Sequence, residues 1–172
     1  DRRNPAGIEI GWQKRLPRAL SARPANMTER APLKGLVLAG GDSRRMGSDK
    51  AALDLQGSTL LDRAVNLLRS QLEDVWVAVR PGQAHMAVRN VYPLLEDRLQ
   101  NIGPAAGILA AHEHAPHAAW LVVACDMPML DAATLRLLIA GRDIAMDATA
   151  LTTAAAADPE PLCAIYEPAT LA

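Results

Sequence analysis

A chain of 172 residues has room for one domain with a sizeable core. Half of it is hydrophobic but only 3% is aromatic, with no Phe, so that core is built from Leu, Val, Ile and Ala. A net charge of −1 excludes the overall basic field that would draw the chain to nucleic acid or an anionic membrane, so positive charge can matter only locally. No apolar stretch approaches membrane-spanning length, Leu121–Leu130 being broken by Asp126 and Pro128. No signal-peptide pattern opens the chain, and the cytoplasm is the expected compartment.

Residues 1–32 differ in kind from the rest. They hold Arg2, Arg3, Lys14, Arg15, Arg18 and Arg23 with Pro5, Pro17, Pro24 and Pro32, and no sustained periodicity. Position 1 is not Met, whereas Met27 precedes Thr28-Glu29-Arg30. A poorly structured linker or non-native extension is the favoured reading over a targeting or nucleic-acid arm, because Ser is scarce and no basic block occurs. The domain proper is expected over 33–172.

From Leu33 onward strand-like and helix-like segments alternate. Lys34–Leu38 is the first predicted strand, and it runs into Leu38-Ala39-Gly40-Gly41-Asp42-Ser43-Arg44-Arg45-Met46-Gly47-Ser48-Asp49-Lys50. Leu60, Leu61, Ala64, Leu67, Leu68 and Leu72 recur at helical spacing and predict a helix over 59–72, with Asp62 near its start and Arg69 near its end. Val75–Val79 reads as a second strand closed by Pro81-Gly82, then a short helix over 83–89 and a third strand over Val91–Leu95 that ends in Glu96-Asp97. Gly103-Pro104 opens a helix over 104–114, with Pro where its missing N–H costs nothing. Ala119–Ala124 is a continuous apolar strand of the kind buried on both faces, and Cys125-Asp126-Met127-Pro128 ends it. Asp131 reads as the N-cap of a helix over 132–140 that stops at Gly141. Ala145–Thr153 and Leu162–Tyr166 are further strand candidates, separated by the alanine tract 154–157.

This βαβ rhythm implies a parallel sheet with helices on both faces, whose site lies beyond the carboxyl ends of the strands. Three polar features fall at such ends: the 38–50 loop, Glu96-Asp97 and Asp126. The loop has the parts a polyphosphate needs, namely glycines that leave backbone N–H groups accessible and a cationic end. Arg forks (Arg44, Arg45) suit phosphate oxygens and Lys50 is a point charge. The run is neither a Walker loop, lacking Gly-Lys-Ser/Thr, nor a dinucleotide fingerprint, whose Gly-x-Gly-x-x-Gly spacing fails. A carboxylate at the mouth of an apolar strand, as at Asp126, is costly without a partner; a hard cation is one such partner, and a turn-forming role before Pro128 is the alternative. Cys125 and Cys163 lie in apolar runs without zinc-site spacing. His112, His114 and His117 gather at a helix end, where a cation is favourable, and their spacing does not put them on one face.

Leu-Ala-Gly-Gly-x-Ser-x-Arg-Met-Gly-x-Asp-Lys resembles the signature of the nucleotidyltransferases related to the molybdenum cofactor guanylyltransferases. The resemblance extends over roughly 33–168, through Glu96-Asp97, Gly103-Pro104-Ala105-Ala106-Gly107-Ile108, Cys125-Asp126-Met127-Pro128 and Pro161-Leu162. It implies an α/β fold: a Rossmann-like three-layer α/β/α sandwich of the nucleotide-diphospho-sugar transferase type, with a mostly parallel sheet. It implies transfer of GMP from GTP onto molybdenum-bound molybdopterin with release of pyrophosphate, Mg²⁺ as cofactor, and molybdoenzyme maturation proteins as further partners. Carried over by position, Leu38, Ala39, Gly40 and Gly41 seat the nucleotide, Lys50 and Arg45 bind its phosphates, Asp97 contacts the nucleotide, and Asp126 ligates Mg²⁺. Gly40-Gly41 tilts the resemblance toward the guanylyl branch. Two departures accompany it. The segment Val77-Ala78-Val79-Arg80 lacks the Asn that members carry there, leaving Arg80 to meet base or phosphate, and no Asn-x-Asn/Asp-type motif occurs before Ala172, as expected of a fragment or of residues left off. A cytidylyl- or other nucleotidyltransferase, or a nucleotide-binding accessory module, are the alternative readings.

Overall fold

A computed structural model of the chain describes residues 8–14, 30–40, 50–55, 57–99, 102–153 and 158–171. Seven strands, β1 (Ile8–Lys14), β2 (Leu33–Leu38), β3 (Val75–Val79), β4 (Leu94–Glu96), β5 (Ala119–Ala124), β6 (Ala148–Thr153) and β7 (Cys163–Tyr166), form one sheet in the order β1-β6-β7-β5-β2-β3-β4. Four helices accompany it: α1 (Leu60–Arg69), α2 (Ala105–His114), α3 (Ala132–Ala140) and the single turn α4 (Pro168–Leu171). A 3-10 turn at Lys50–Ala52 leads toward α1.

Alternation along the buried strands assigns the two faces. Val37, Val77, Val79, Leu121 and Val123 pack with Leu61, Val65 and Leu68 of α1 and Leu135 and Leu138 of α3. Leu36, Ala78, Leu95, Trp120 and Val122 pack with Ile108 and Ala111 of α2, with Leu171 of α4 at the edge. The result is a three-layer α/β/α sandwich. The α1 stripe has the predicted spacing, and Thr59 begins the helix with a reciprocal capping box to Asp62. Asp131 caps α3 through the Thr134 N–H, 2.8 Å away.

The sheet is mixed rather than mostly parallel. β2 pairs in parallel with β3 and β5, and β3 with β4, while β1–β6, β6–β7 and β5–β7 are antiparallel. The connection from β6 to β7 is too short for a parallel crossover, so β7 folds back between β6 and β5. Residues 8–14, inside the stretch expected as a linker, form the edge strand β1 against β6.

Two further differences have local causes. Over 83–89 the chain makes successive turns (Met86 N–H to Gln83 C=O, Arg89 N–H to Met86 C=O) instead of a helix, since seven residues without a cap cannot sustain the helical nucleus. The third parallel strand starts at Leu94, not Val91, because Pro93 has no N–H to give the ladder and contributes only its carbonyl, to the Val77 N–H. Tyr92 leaves the strand and donates its hydroxyl to Asp62 on α1, with the Arg69 guanidinium 5.5 Å above its ring.

Gly107 sets how close α2 lies to the sheet. A Cβ there would fall 2.8 Å from both Ala78 Cβ and Leu38 Cδ2. In an open helix Gly→Ala gains up to about 1 kcal/mol, but overpacking a tight contact costs about 1–3 kcal/mol. Gly107→Ala is therefore expected to lower stability, by about 1 kcal/mol net, read as a reduced urea midpoint with unchanged slope; an increased midpoint would show that the helix has room to spare.

Candidate active site

β2, β3, β4 and β5 are parallel neighbours, so their carboxyl ends emerge along one edge of the sheet. The chain runs outward from β2 to β3 and β4, then returns through α2 to β5 on the other side of β2. That reversal is a topological switch point, where open α/β sheets form their crevice. Two hydrogen bonds fix the end of β2 within it: the Ala39 N–H donates to the Ala78 carbonyl at 3.0 Å, and the Cys125 N–H donates to the Leu38 carbonyl at 3.2 Å. Leu38, Ala39 and Gly40 thus run between the end of β3 and the end of β5.

On the β3 side, Gly40, Arg80 and Asp97 meet. A Cβ built on Gly40 would lie 3.3 Å from the Arg80 N and Cγ atoms, a tight approach, and 3.5 Å from Asp97 Oδ2, in ordinary contact. Asp97 is carried on β4 by its N–H bond to the Val79 carbonyl, at 2.9 Å, and it is only 9% exposed. Burial pushes its carboxyl above the usual carboxylate range, the positive charge of Arg80 pulls it back, and Glu96 pushes it up. Arg80 is held at the backbone by the Gln83 side chain, whose Oε1 accepts its N–H at 3.1 Å. Such a trio offers a carboxylate acceptor, a guanidinium donor and a bare peptide at one spot.

On the β5 side, Asp126 follows Cys125 directly and is exposed at the end of a strand whose six residues are all buried. The residues flanking it, Cys125 and Met127, line a cleft of about 390 Å³ against α1, with Arg63 and Asn66 opposite. The sheet edge therefore bears Asp97 to one side of Leu38–Gly40 and Asp126 to the other. Gly41, Arg44 and Arg45 lie outside the described residues, and of Lys50 only the backbone, at the start of the 3-10 turn, is described.

Sequence reasoning passed over Arg89. Its side chain is completely buried, and Nη2 donates to the Ala39 carbonyl at 2.9 Å across fifty positions of sequence. It lies in a turn segment without periodicity, so no local pattern marks it. Arg142 and Glu167, also unremarked, form a buried bidentate pair (2.6 and 2.9 Å) far along the chain from this edge. Cys163 is buried, its thiol pushed up to about 12 by desolvation, and His114 stacks at a tilt on Trp76 with ring centres 4.3 Å apart. Among the described residues no helix is long and apolar enough to cross a membrane.

A switch-point crevice edged by carboxylates, with a glycine-rich segment leaving the central strand, defines an α/β protein of the nucleotide-binding kind. A family model, the MobA-like NTP transferase domain, matches residues 35–172. The chain belongs to that family. It is 39% identical over 140 residues to a "molybdenum cofactor biosynthesis bifunctional protein" of Synechocystis, covering 81% of this chain and 40% of that protein. It is 46% identical over 104 residues to a "probable molybdenum cofactor guanylyltransferase" of Opitutus terrae, covering 59% of this chain and 51% of the relative. The matched segment thus spans about half the length of these curated relatives or less. Among solved structures, molybdopterin-guanine dinucleotide biosynthesis protein A of Archaeoglobus fulgidus superposes with a TM-score of 0.57 at 25% identity, covering 79% of this chain and 68% of that one. The fold is that of the nucleotide-diphospho-sugar transferases.

The raised Asp97 pKa has a sign that can be checked. A carboxyl whose folded-state pKa exceeds its unfolded value binds its proton more tightly when folded, so stability is greatest below the unfolded pKa and declines as pH rises through the folded one. Asp97→Asn removes that decline. The stability of the variant relative to the parent is expected to grow as pH rises above the ordinary Asp range, about 4; a difference that does not change with pH would contradict the assignment.

Proposed function

We propose that the chain carries the nucleotidyl-transfer site of a molybdenum cofactor guanylyltransferase, moving GMP from GTP onto molybdenum-bound molybdopterin. The observation that carries this reading is the position of Leu38–Gly40 between Asp97 and Asp126 at the switch point, in a chain whose signature run begins at Leu38. In this reading the bare backbone of 38–40, continued by Gly41, seats the nucleoside. Asp97 accepts hydrogen bonds from it, and Arg80 takes the place of the absent Asn. Lys50 and Arg45 take up the triphosphate charge and steady the departing pyrophosphate.

The residues present fit Mg²⁺. Among the described residues no group of three or more His, Cys, Asp or Glu could hold a metal, and Asp126 is an exposed residue just past the strand end. Mg²⁺ is commonly held in this way, by one or two carboxylates with phosphate oxygens and water completing the shell. Asp126 would hold the ion, which when bound neutralises charge on the triphosphate.

A phosphate oxygen of the acceptor attacks the α-phosphorus, the bond from that phosphorus to the bridging oxygen breaks, and pyrophosphate leaves. The protein has little covalent work to do; holding the reactants in line and opposing their charge carry the rate. The family and the names of the relatives support nucleotidyl transfer. Guanine as the base and molybdopterin as the acceptor rest on those names and on Gly40-Gly41. The site's chemistry calls for small phosphorylated substrates rather than nucleic acid, and any molybdoenzyme maturation partner would act downstream of the transfer.

The test is pyrophosphate release from GTP with molybdopterin and Mg²⁺. Asp126→Asn and Lys50→Ala are each expected to lower turnover at least about a hundredfold, the usual loss when a charge-stabilising group is removed, while circular dichroism stays that of the parent. Parent-like turnover in either variant would refute its role, and release with CTP in preference to GTP would transfer the chain to the cytidylyl alternative.

A further inference from the structure

We infer that Arg89 is a positioning residue of the nucleotide site, which it serves by fixing the peptide between Ala39 and Gly40. The inference rests on the nucleotide-site reading above. Ala39 is held at both ends, its N–H on the Ala78 carbonyl and its C=O under Arg89 Nη2, at 3.0 and 2.9 Å. The peptide between 39 and 40 is trans and planar, so its C=O and N–H point in opposite directions. Pinning the carbonyl onto a buried guanidinium therefore aims the Gly40 N–H the other way, out of the protein interior. A cation donating to the carbonyl also polarises that peptide, which makes its N–H a stronger donor. An anionic or carbonyl-bearing nucleotide group would meet that N–H.

Cost favours this role over a merely structural one. Arg89 is 0% exposed, and taking a guanidinium out of water is expensive. The segment 80–93 already has a cheaper anchor, the Tyr92 hydroxyl on Asp62. Arg89 Nη1 also reaches the Met86 sulfur at 3.2 Å, a local and weak contact. What Arg89 reaches that Tyr92 does not is the last peptide before the glycine-rich run.

Calorimetry of the full chain with GTP and Mg²⁺ tests this against three variants. Arg89→Met should weaken GTP binding about tenfold or more, and Arg89→Lys, which keeps a cation and one donor, should restore most of that loss. Tyr92→Phe should lower the thermal midpoint and leave GTP affinity unchanged. Affinity in Arg89→Met equal to the parent's, or a loss matched by Tyr92→Phe, would overturn the inference. Should Arg89→Met not fold, the Gly40 amide proton of the parent decides: it should shift downfield on saturation with GTP, and an unmoved resonance overturns the inference. A parent chain that gives no heat with GTP, CTP or ATP defeats the nucleotide reading itself, whereas a parent that binds beside an equally tight Arg89→Met defeats only the role of Arg89.

Discussion

Everything at the candidate site depends on β2 being laddered in parallel on both sides. Leu38 stands opposite Ala78 of β3 and Ala124 of β5, so three backbones leave the sheet within one peptide of each other. Once that register holds, Arg80 and Asp126 are each fixed two residues further out, and the β3–β4 ladder adds Asp97 at the same level as Arg80. A slip of one residue would turn each of these side chains to the other face of the sheet. The register is guarded by burial on both faces: Leu36 is sealed under α2 and Val37 under α1, each 0% exposed.

Four of the buried charges divide into two kinds. Arg142 and Glu167 satisfy one another with two short hydrogen bonds, and Glu167, following Tyr166 opposite Trp120, stands near the amino end of β5. Such a pair joins the turn after α3 to the end of β7 and adds little beyond that. Asp97 and Arg89 are different, because each is buried against the backbone that leaves β2, one beside Gly40 and one on the Ala39 carbonyl. A protein seeking only stability would fill those places with apolar side chains. In the proposed reading, charges kept there at a cost match the polarity of a bound nucleotide.

Much of this was legible from residues alone. The parallel core followed from the unbroken apolar run 119–124 and from the leucine spacing of α1, whose burial is collective and therefore leaves a periodic trace. Asp97 and Asp126 stand out in the sequence because each is a carboxylate close after an apolar run, and both follow strands of the parallel part of the sheet. The antiparallel edge was not legible, since it depends on where β7 inserts; β1 does alternate, Ile8, Ile10 and Trp12 with Glu9, Gly11 and Gln13, but the Arg- and Pro-rich surroundings outweighed that signal. Tyr92 and Val91 looked like strand residues by type; Pro93 and the distant Asp62 carboxylate outweighed that propensity. Arg89 is the clearest case of the limit. Its hydrogen bond to the Ala39 carbonyl spans fifty positions of sequence, and nothing around it in the chain repeats.

The most direct measurement is a crystal structure of the chain grown with GTP and Mg²⁺. The account predicts the nucleoside against the Leu38–Gly40 backbone and Asp97, with the phosphates running toward Asp126 across the end of β2. A nucleotide seated instead in the cleft between α1 and Met127, or at the antiparallel edge of the sheet, would contradict it.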